Sequence, residues 1–235
     1  MSTKAGATMT STPRFELYSF WRTSATYRVR VALNLKGLEA AEHNIDVDAG
    51  ENLSEAFLKI NPLGGLPAFI DNGPGSDRLP ITQSLAILEY LEEVHPLPAL
   101  LPEGAPARAR VRSLALMMAA DTHPFVTPRV RKYLTSAGNF DPAAWRAWQI
   151  QWFTVGLQAL ERRLASEAAT GTFVHGDSVT IADICLASVI AVARVFSIEV
   201  PGIPTVDRVM AACEEIEAFQ RASPFRQFGA PEIRK

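Results

Sequence analysis

A chain of 235 residues, 48% hydrophobic and 20% charged, has the length for one large or two ordinary domains and a sizeable core. Its net charge of −2 excludes a dedicated nucleic-acid binder, which needs a strong basic excess, and no apolar run approaches the roughly 20 residues of a membrane span. The two cysteines, Cys185 and Cys213, exclude a disulfide framework and suit a reducing cytoplasm, and the four scattered histidines show no metal-ligand spacing, so no metal is expected.

The opening "MSTKAGATMTSTPR" carries no hydrophobic stretch of the secretory kind and reads as a disordered leader, residues 1–13. "RFELYSF" alternates and is aromatic-rich, which predicts a first strand. Val29, Ala32, Leu33 and Lys36 then recur at helical spacing up to Gly37, a helix stop. "EHNIDV" predicts a second strand, and Ser54 caps a short helix over "EAFLKI". "LPAFID" and "RLPI" predict two strands around the turn-rich "NGPGSD", paired as a hairpin. "SLAILEYLEEV" predicts a strong helix ended by "HP". The succession β-α-β-α-β-β-α suits a small α/β sandwich of the thioredoxin type over residues 14–95.

Residues 96–104 form a proline-rich linker, beyond which the pattern is helical throughout, over 105–228, with a tail at 229–235. Four helical stretches are expected: 107–126 running on past His123, 143–168, 181–196 and 205–222.

Four local features carry candidate chemistry. Arg22, Thr23, Ser24 and Thr26 cluster where a strand hands over to a helix, a place with unsatisfied N–H groups and a positive dipole. Hydroxyls there cap the helix or hold something negative. Leu66–Pro67 opens the third strand; a cis bond would turn the backbone of Leu66 outward, toward an extended peptide-like ligand. Gln83 and Ser84 stand at the start of the next helix, with Ser84 as its cap and its N-terminus open to a carboxylate. His123 lies in "DTHPFVTPR", followed by Arg129.

The strings "LYSFWRTSATYRVRVALNLKG", "INPLGGLPAF", "ITQSLAILEYLEE", "DTHP" and "GDSVTIADICLA" resemble, in this order, the glutathione transferase superfamily. Within it they are similar to the zeta class, with its maleylacetoacetate and maleylpyruvate isomerases, over residues 15–228. The resemblance implies an α/β thioredoxin-like N-terminal domain, an all-α C-terminal domain, a homodimer, and glutathione bound between the domains. It implies that Thr23 or Ser24 stabilises the glutathione thiolate for attack on a small electrophile. Leu66 would bond the cysteinyl backbone beside a cis Pro67, Gln83 and Ser84 would hold the γ-glutamyl carboxylate, and His123 would lie over the cleft. Arg22 matches a carboxylate-contacting arginine and Arg129 a basic residue after the "HP" turn, both on the substrate side. Thr180 and Asp183 match a structural helix cap.

A thiol of pKa ~8.5 needs about 2.7 kcal/mol of preferential stabilisation to drop by ~2 units. A hydrogen bond to a charged group supplies ~1.5–3 kcal/mol and a helix N-terminus ~0.3–1 kcal/mol, so one well-aimed hydroxyl suffices. The chain departs from the zeta pattern at Ala25, where a cysteine is usual, and at Val195, where the isomerases carry an arginine for the substrate carboxylate. These changes favour a zeta-like transferase, with glutathione-dependent cis-trans isomerisation as the alternative. A noncatalytic module of the same fold is the reading from another class.

Overall fold

The computed structural model describes residues 13–232, so the expected leader lies almost wholly outside the described residues. β1 (Phe15–Ser19) leads into α1 (Ser24–Leu35), β2 (Ala41–Asn44), a 3-10 turn (Glu51–Leu53) and α2 (Glu55–Ile60). β3 (Ala68–Asp71), β4 (Ile81–Thr82) and α3 (Ser84–Val94) follow. The sheet order is β2-β1-β3-β4, with β1 and β2 parallel and the other two pairings antiparallel. This is the expected thioredoxin-like arrangement.

Local chemistry sets the helix ends. Gly37 takes φ +64°, and the Leu38 N–H reaches back to the Leu33 carbonyl at 2.9 Å, closing α1 where a side chain would be strained. The Ser54 side chain accepts from the Phe57 N–H and starts α2, as expected. The second and fourth strands are shorter than predicted. β2 ends at Asn44 because the Asp46 carboxylate accepts from the Asp48 and Ala49 N–H groups and turns the chain. β4 keeps only two residues because Pro80 has no N–H to offer and Arg78 sits at φ +58°.

The second part comprises α4 (Ala105–Ala119), a 3-10 turn (His123–Val126), α5 (Pro128–Ala137), α6 (Pro142–Ser166) and α7 (Ile181–Val195). α8 (Pro204–Glu214), α9 (Glu217–Ala222) and a last 3-10 turn (Pro224–Arg226) complete it. Among the described residues no strand follows Thr82. The stretch expected as one helix through His123 is broken. α4 stops at Ala119, Thr122 Oγ1 donates to the Met117 carbonyl at 2.8 Å, and Pro124 cannot continue the ladder. His123 therefore begins a separate turn. The stretch 205–222 is likewise two helices, divided where Ile216 becomes extended and the Gln220 side chain donates to the Glu214 carbonyl at 2.7 Å.

Two helices connect the halves. α7 has eleven of its fifteen residues buried and packs on both α4 and α1. Its start is fixed by Asp183, whose carboxylate accepts from the N–H groups of Thr180 (2.8 Å) and Val174 (2.7 Å), as the capping reading expected. α1 is buried on nearly every side, and one continuous apolar core runs from Leu17 and Val29 to Phe153 and Val206. Lys36, at the end of α1, donates to Glu92, to the His95 carbonyl and to the Pro98 carbonyl, tying the linker to the first domain.

The turn bearing His123 rests on a close approach. A Cβ placed on Gly156 of α6 would meet Thr122 Oγ1 at 2.1 Å and Cγ2 at 2.6 Å. Gly to Ala in a helix ordinarily stabilises, by about 1 kcal/mol. Here Gly156→Ala is expected to destabilise by about 1–3 kcal/mol through overpacking. Thermal unfolding reads this as a fall of roughly 2–4 °C per kcal/mol at this chain length. Adding Thr122→Ala is expected to recover part of the loss.

Candidate active site

Three loops meet at one end of the sheet. β1 delivers Phe20–Thr23, β3 is preceded by Leu66–Pro67, and β4 is followed by Gln83–Ser84. The register sets Tyr18 opposite Ala68 and Ala68 opposite Thr82, so the three segments lie side by side.

Thr23 is the N-cap of α1 with extended backbone, yet its side chain makes no capping bond. Its Oγ1 lies 2.5 Å from Thr26 Oγ1 and 3.2 Å from the Phe20 carbonyl oxygen. Thr26 is fully buried, and its hydroxyl has no other partner among the described residues. When Thr26 donates to Thr23, the Thr23 proton is held only by the long bond to Phe20. Thr23 is half-buried and sits at the positive end of a helix, so its O–H can turn to an incoming anion. Ser24 is 1% exposed. Its Oγ donates to Ser188 Oγ at 3.0 Å and accepts from Arg28 Nη2 at 3.1 Å. Of the two candidate hydroxyls, only Thr23 keeps an accessible proton.

The Leu66–Pro67 bond is cis, and neither the N–H nor the carbonyl of the half-buried Leu66 has a protein partner among the described residues. Gln83 is exposed and held at φ +71°, a region that costs a non-glycine residue about 1–3 kcal/mol. The structure corrects the reading of Ser84 as a cap. Gln83 occupies the cap position, and Ser84 is the first helical residue, where its Oγ accepts from Arg28 Nη1 at 3.0 Å. Its proton has no acceptor among the described residues. The N-terminal N–H groups of α3 remain open to a carboxylate.

From the helical side come His123 and Ser188. Burial, then the charges of Arg28 and Arg129, push the His123 imidazole down to about 3, so it is neutral at physiological pH. Arg129 is exposed on the first turn of α5. Arg22 is already engaged. It forms a two-pronged ion pair with Asp48 and stacks against Phe20 and Trp21, with its guanidinium carbon 5.2 and 5.5 Å from the ring centres. Hydrogen bonding from Arg22 holds Asp48 below the usual carboxylate range, and Arg131 adds to this. At the end of α7, Val195 is half-buried, while Arg194 is exposed and paired with Glu214.

Sequence reasoning missed Arg28. It is 2% exposed, and its three donor positions reach Ser188 (Nε, 2.8 Å), Ser84 (Nη1) and Ser24 (Nη2). Its only local signal is the i, i+4 spacing from Ser24; the Ser188 contact spans 160 residues. The assembled set offers free backbone groups for a short extended peptide, helix N-termini for a carboxylate, and one hydroxyl for a soft anion. Ala25 supplies no thiol, and no cluster of three potential metal ligands occurs among the described residues.

The family model "Glutathione S-transferase, N-terminal domain" matches residues 13–93, and "Glutathione S-transferase, C-terminal domain" matches residues 154–217. The chain is 39% identical over 212 residues to a maleylpyruvate isomerase of Ralstonia sp, covering 90% of this chain and 98% of that one. Among solved structures, a maleylacetoacetate isomerase of Methylobacterium extorquens AM1 with bound malonate and GSH superposes with a TM-score of 0.89. It is 45% identical, over 92% of this chain and 100% of the other. A bacterial maleylpyruvate isomerase described as a zeta-class glutathione S-transferase in its holo form gives a TM-score of 0.86 at 38% identity, over 92% and 100% of the two chains.

The half-buried imidazole of His123 has a consequence for stability. Unfolded, a histidine takes a proton near pH 6.5; folded, His123 refuses it until about pH 3. Its contribution is constant above pH 6.5 and is lost as pH falls below that, by up to about 1.4 kcal/mol per pH unit. Urea unfolding at pH 7 and pH 5 is expected to show a smaller acid loss for His123→Gln than for the wild type.

Proposed function

The chain belongs to the glutathione S-transferase family, and from that premise we propose that it is a zeta-like, glutathione-dependent enzyme in which Thr23 stabilises the thiolate for reaction with a small electrophile. The observation that carries this reading is the accessible Thr23 hydroxyl at the N-terminus of α1, beside a Leu66 backbone free to pair and an α3 N-terminus free to take a carboxylate. Glutathione, when bound, supplies a sulfur nucleophile, which a transferase leaves in the product and an isomerase recovers. Leu66 holds its cysteinyl main chain, Gln83 and Ser84 hold its γ-glutamyl carboxylate, and the neutral His123 closes the cleft from above. Thr23 donates to sulfur and takes no proton; one such hydrogen bond to a charged group contributes about 1.5–3 kcal/mol of the stabilisation required.

The substrate class follows from the relatives, which are isomerases of maleyl diacids along essentially their whole length. Isomerisation of such a diacid is therefore favoured, with Arg22 and Arg129 on the substrate side. Val195 makes the second carboxylate site weaker than an arginine there would, and this observation keeps transfer to a less anionic electrophile as the second reading. Family membership supports a homodimer. A cytoplasmic location fits the two cysteines, both free and buried.

Glutathione-dependent turnover of maleylpyruvate, read as loss of its ultraviolet absorbance, tests the proposal. Thr23→Ala is expected to lower kcat/KM by ~100-fold or more, as removal of one donor to a developing anion does elsewhere, while Thr23→Ser retains activity. Ser24→Ala is expected to cost less than Thr23→Ala; the reverse order would overturn the assignment of the donor. Val195→Arg is expected to lower KM for the diacid about tenfold, the worth of one modest charge-assisted bond. Turnover that appears only in Val195→Arg would point to the less anionic electrophile.

A further inference from the structure

Every other buried cation on α1 has its own carboxylate: Arg30 pairs with Glu42, and Lys36 with Glu92. Arg28 has none. Its acceptors are three neutral hydroxyls from α1, α3 and α7, and no described carboxylate forms an ion pair with it. A desolvated guanidinium without a counter-charge is costly, and burial pulls its pKa down accordingly. An anion bound nearby would offset that cost.

Among the described residues, none of the titratable groups around it brings a carboxylate into contact with the guanidinium. His123, from the 3-10 turn, is neutral, its imidazole under the charges of both Arg28 and Arg129. From α7 comes Cys185, whose thiol burial pushes up to about 11 and so keeps protonated. Beyond Cys185 the Asp183 carboxylate, ionised at neutral pH, is held by the Thr180 and Val174 N–H groups and makes no ion pair with Arg28. The hydroxyls around Arg28 are also polarised in one direction. Ser188 passes its proton to the Cys185 carbonyl at 2.7 Å, Ser24 passes its own to Ser188, and Ser84 is left with a proton to give.

We propose that Arg28 is a positioning residue that supplies the missing counter-charge for bound glutathione, holding it as the thiolate that Thr23 then orients. The thiol S–H bond breaks heterolytically, the electron pair stays on sulfur, and the proton leaves to solvent. The inference rests on the proposal that glutathione binds at this site, and its test separates the two.

The readout is the ultraviolet absorbance of the thiolate in the binary complex, titrated with pH, together with binding of S-methylglutathione, which has no thiol to ionise. Wild type is expected to bind both ligands and to titrate bound glutathione at least one unit below the ~8.5 of a free thiol. Arg28→Met is expected to raise that value by about one unit, tenfold less thiolate at neutral pH, while Arg28→Lys keeps it near wild type. Ser188→Asp places a carboxylate beside Arg28 Nε without removing the cation, and is expected to raise the value as Arg28→Met does. It carries the test if Arg28→Met does not fold. A folded Arg28→Met or Ser188→Asp that titrates like wild type overturns the inference while leaving the function standing. A wild type that binds neither ligand overturns both.

Discussion

One guanidinium joins the three elements that make the site. Arg28 projects from α1, bonds Ser84 at the start of α3, and bonds Ser188 in the middle of α7, so a single side chain fixes where the two halves of the molecule meet. Because all its partners are neutral, the cradle gains geometry without cancelling charge. An ion pair at the same place would serve stability as well, but would leave the cleft electrostatically flat. A low-dielectric surround strengthens each of these bonds and raises the cost of losing any one.

The opposite end of α1 is held by the complementary device. There the charge is cancelled: Lys36 is fully enclosed with Glu92, whose carboxylate also accepts from the Leu100 and Leu101 N–H groups. The linker is thus pinned, and Ile181 in turn donates to the Leu100 carbonyl at 2.9 Å, which carries the constraint into α7. A helix paired at its end and left unpaired near its start is stable as a scaffold and polar where chemistry is needed. The strained backbone at Gln83 belongs to the same division, since it sits at the cleft and not in the packed interior.

The same division explains what could be read from the chain and what could not. α1, the capped α2 and α3 rest on local signals, and each stands where those signals put it; the cis Leu66–Pro67 bond and the Asp183 cap are present as the family resemblance implied. The choice between Thr23 and Ser24 does not. Both are good helix-start residues, and only the position of Ser188, far along the chain, draws Ser24 inward. Arg28 reads as one more solvated helix arginine until α7 is laid against it. Ser84 looks like a cap because nothing local announces that the glutamine before it will take a positive φ. The break at Ala120 owes something to Pro124 but is placed by a Thr122 packed on Gly156, and the break at Ile216 is set by an α9 that turns back onto α1, with no glycine or proline beside it.

The arrangement of cations also bears on which reaction the proposed enzyme performs. Arg22, the arginine expected to meet a substrate carboxylate, is already held by Asp48. An incoming carboxylate must therefore displace Asp48, and the gain is the difference between two similar pairs, smaller than the ~1.5–3 kcal/mol of a new charge-assisted bond. Arg194 is committed to Glu214, and its neighbour Val195 has no charge to give. Arg28, deep in the fold, has three neutral hydroxyls for partners, and the exposed Arg129 has no ion pair among the described residues. Under the proposal, such a distribution favours ionisation of the nucleophile and leaves a loose grip on an anionic substrate. In the proposed reaction, that combination suits a diacid that must enter, turn about one bond and leave, for which tight ground-state binding would bring no gain in turnover.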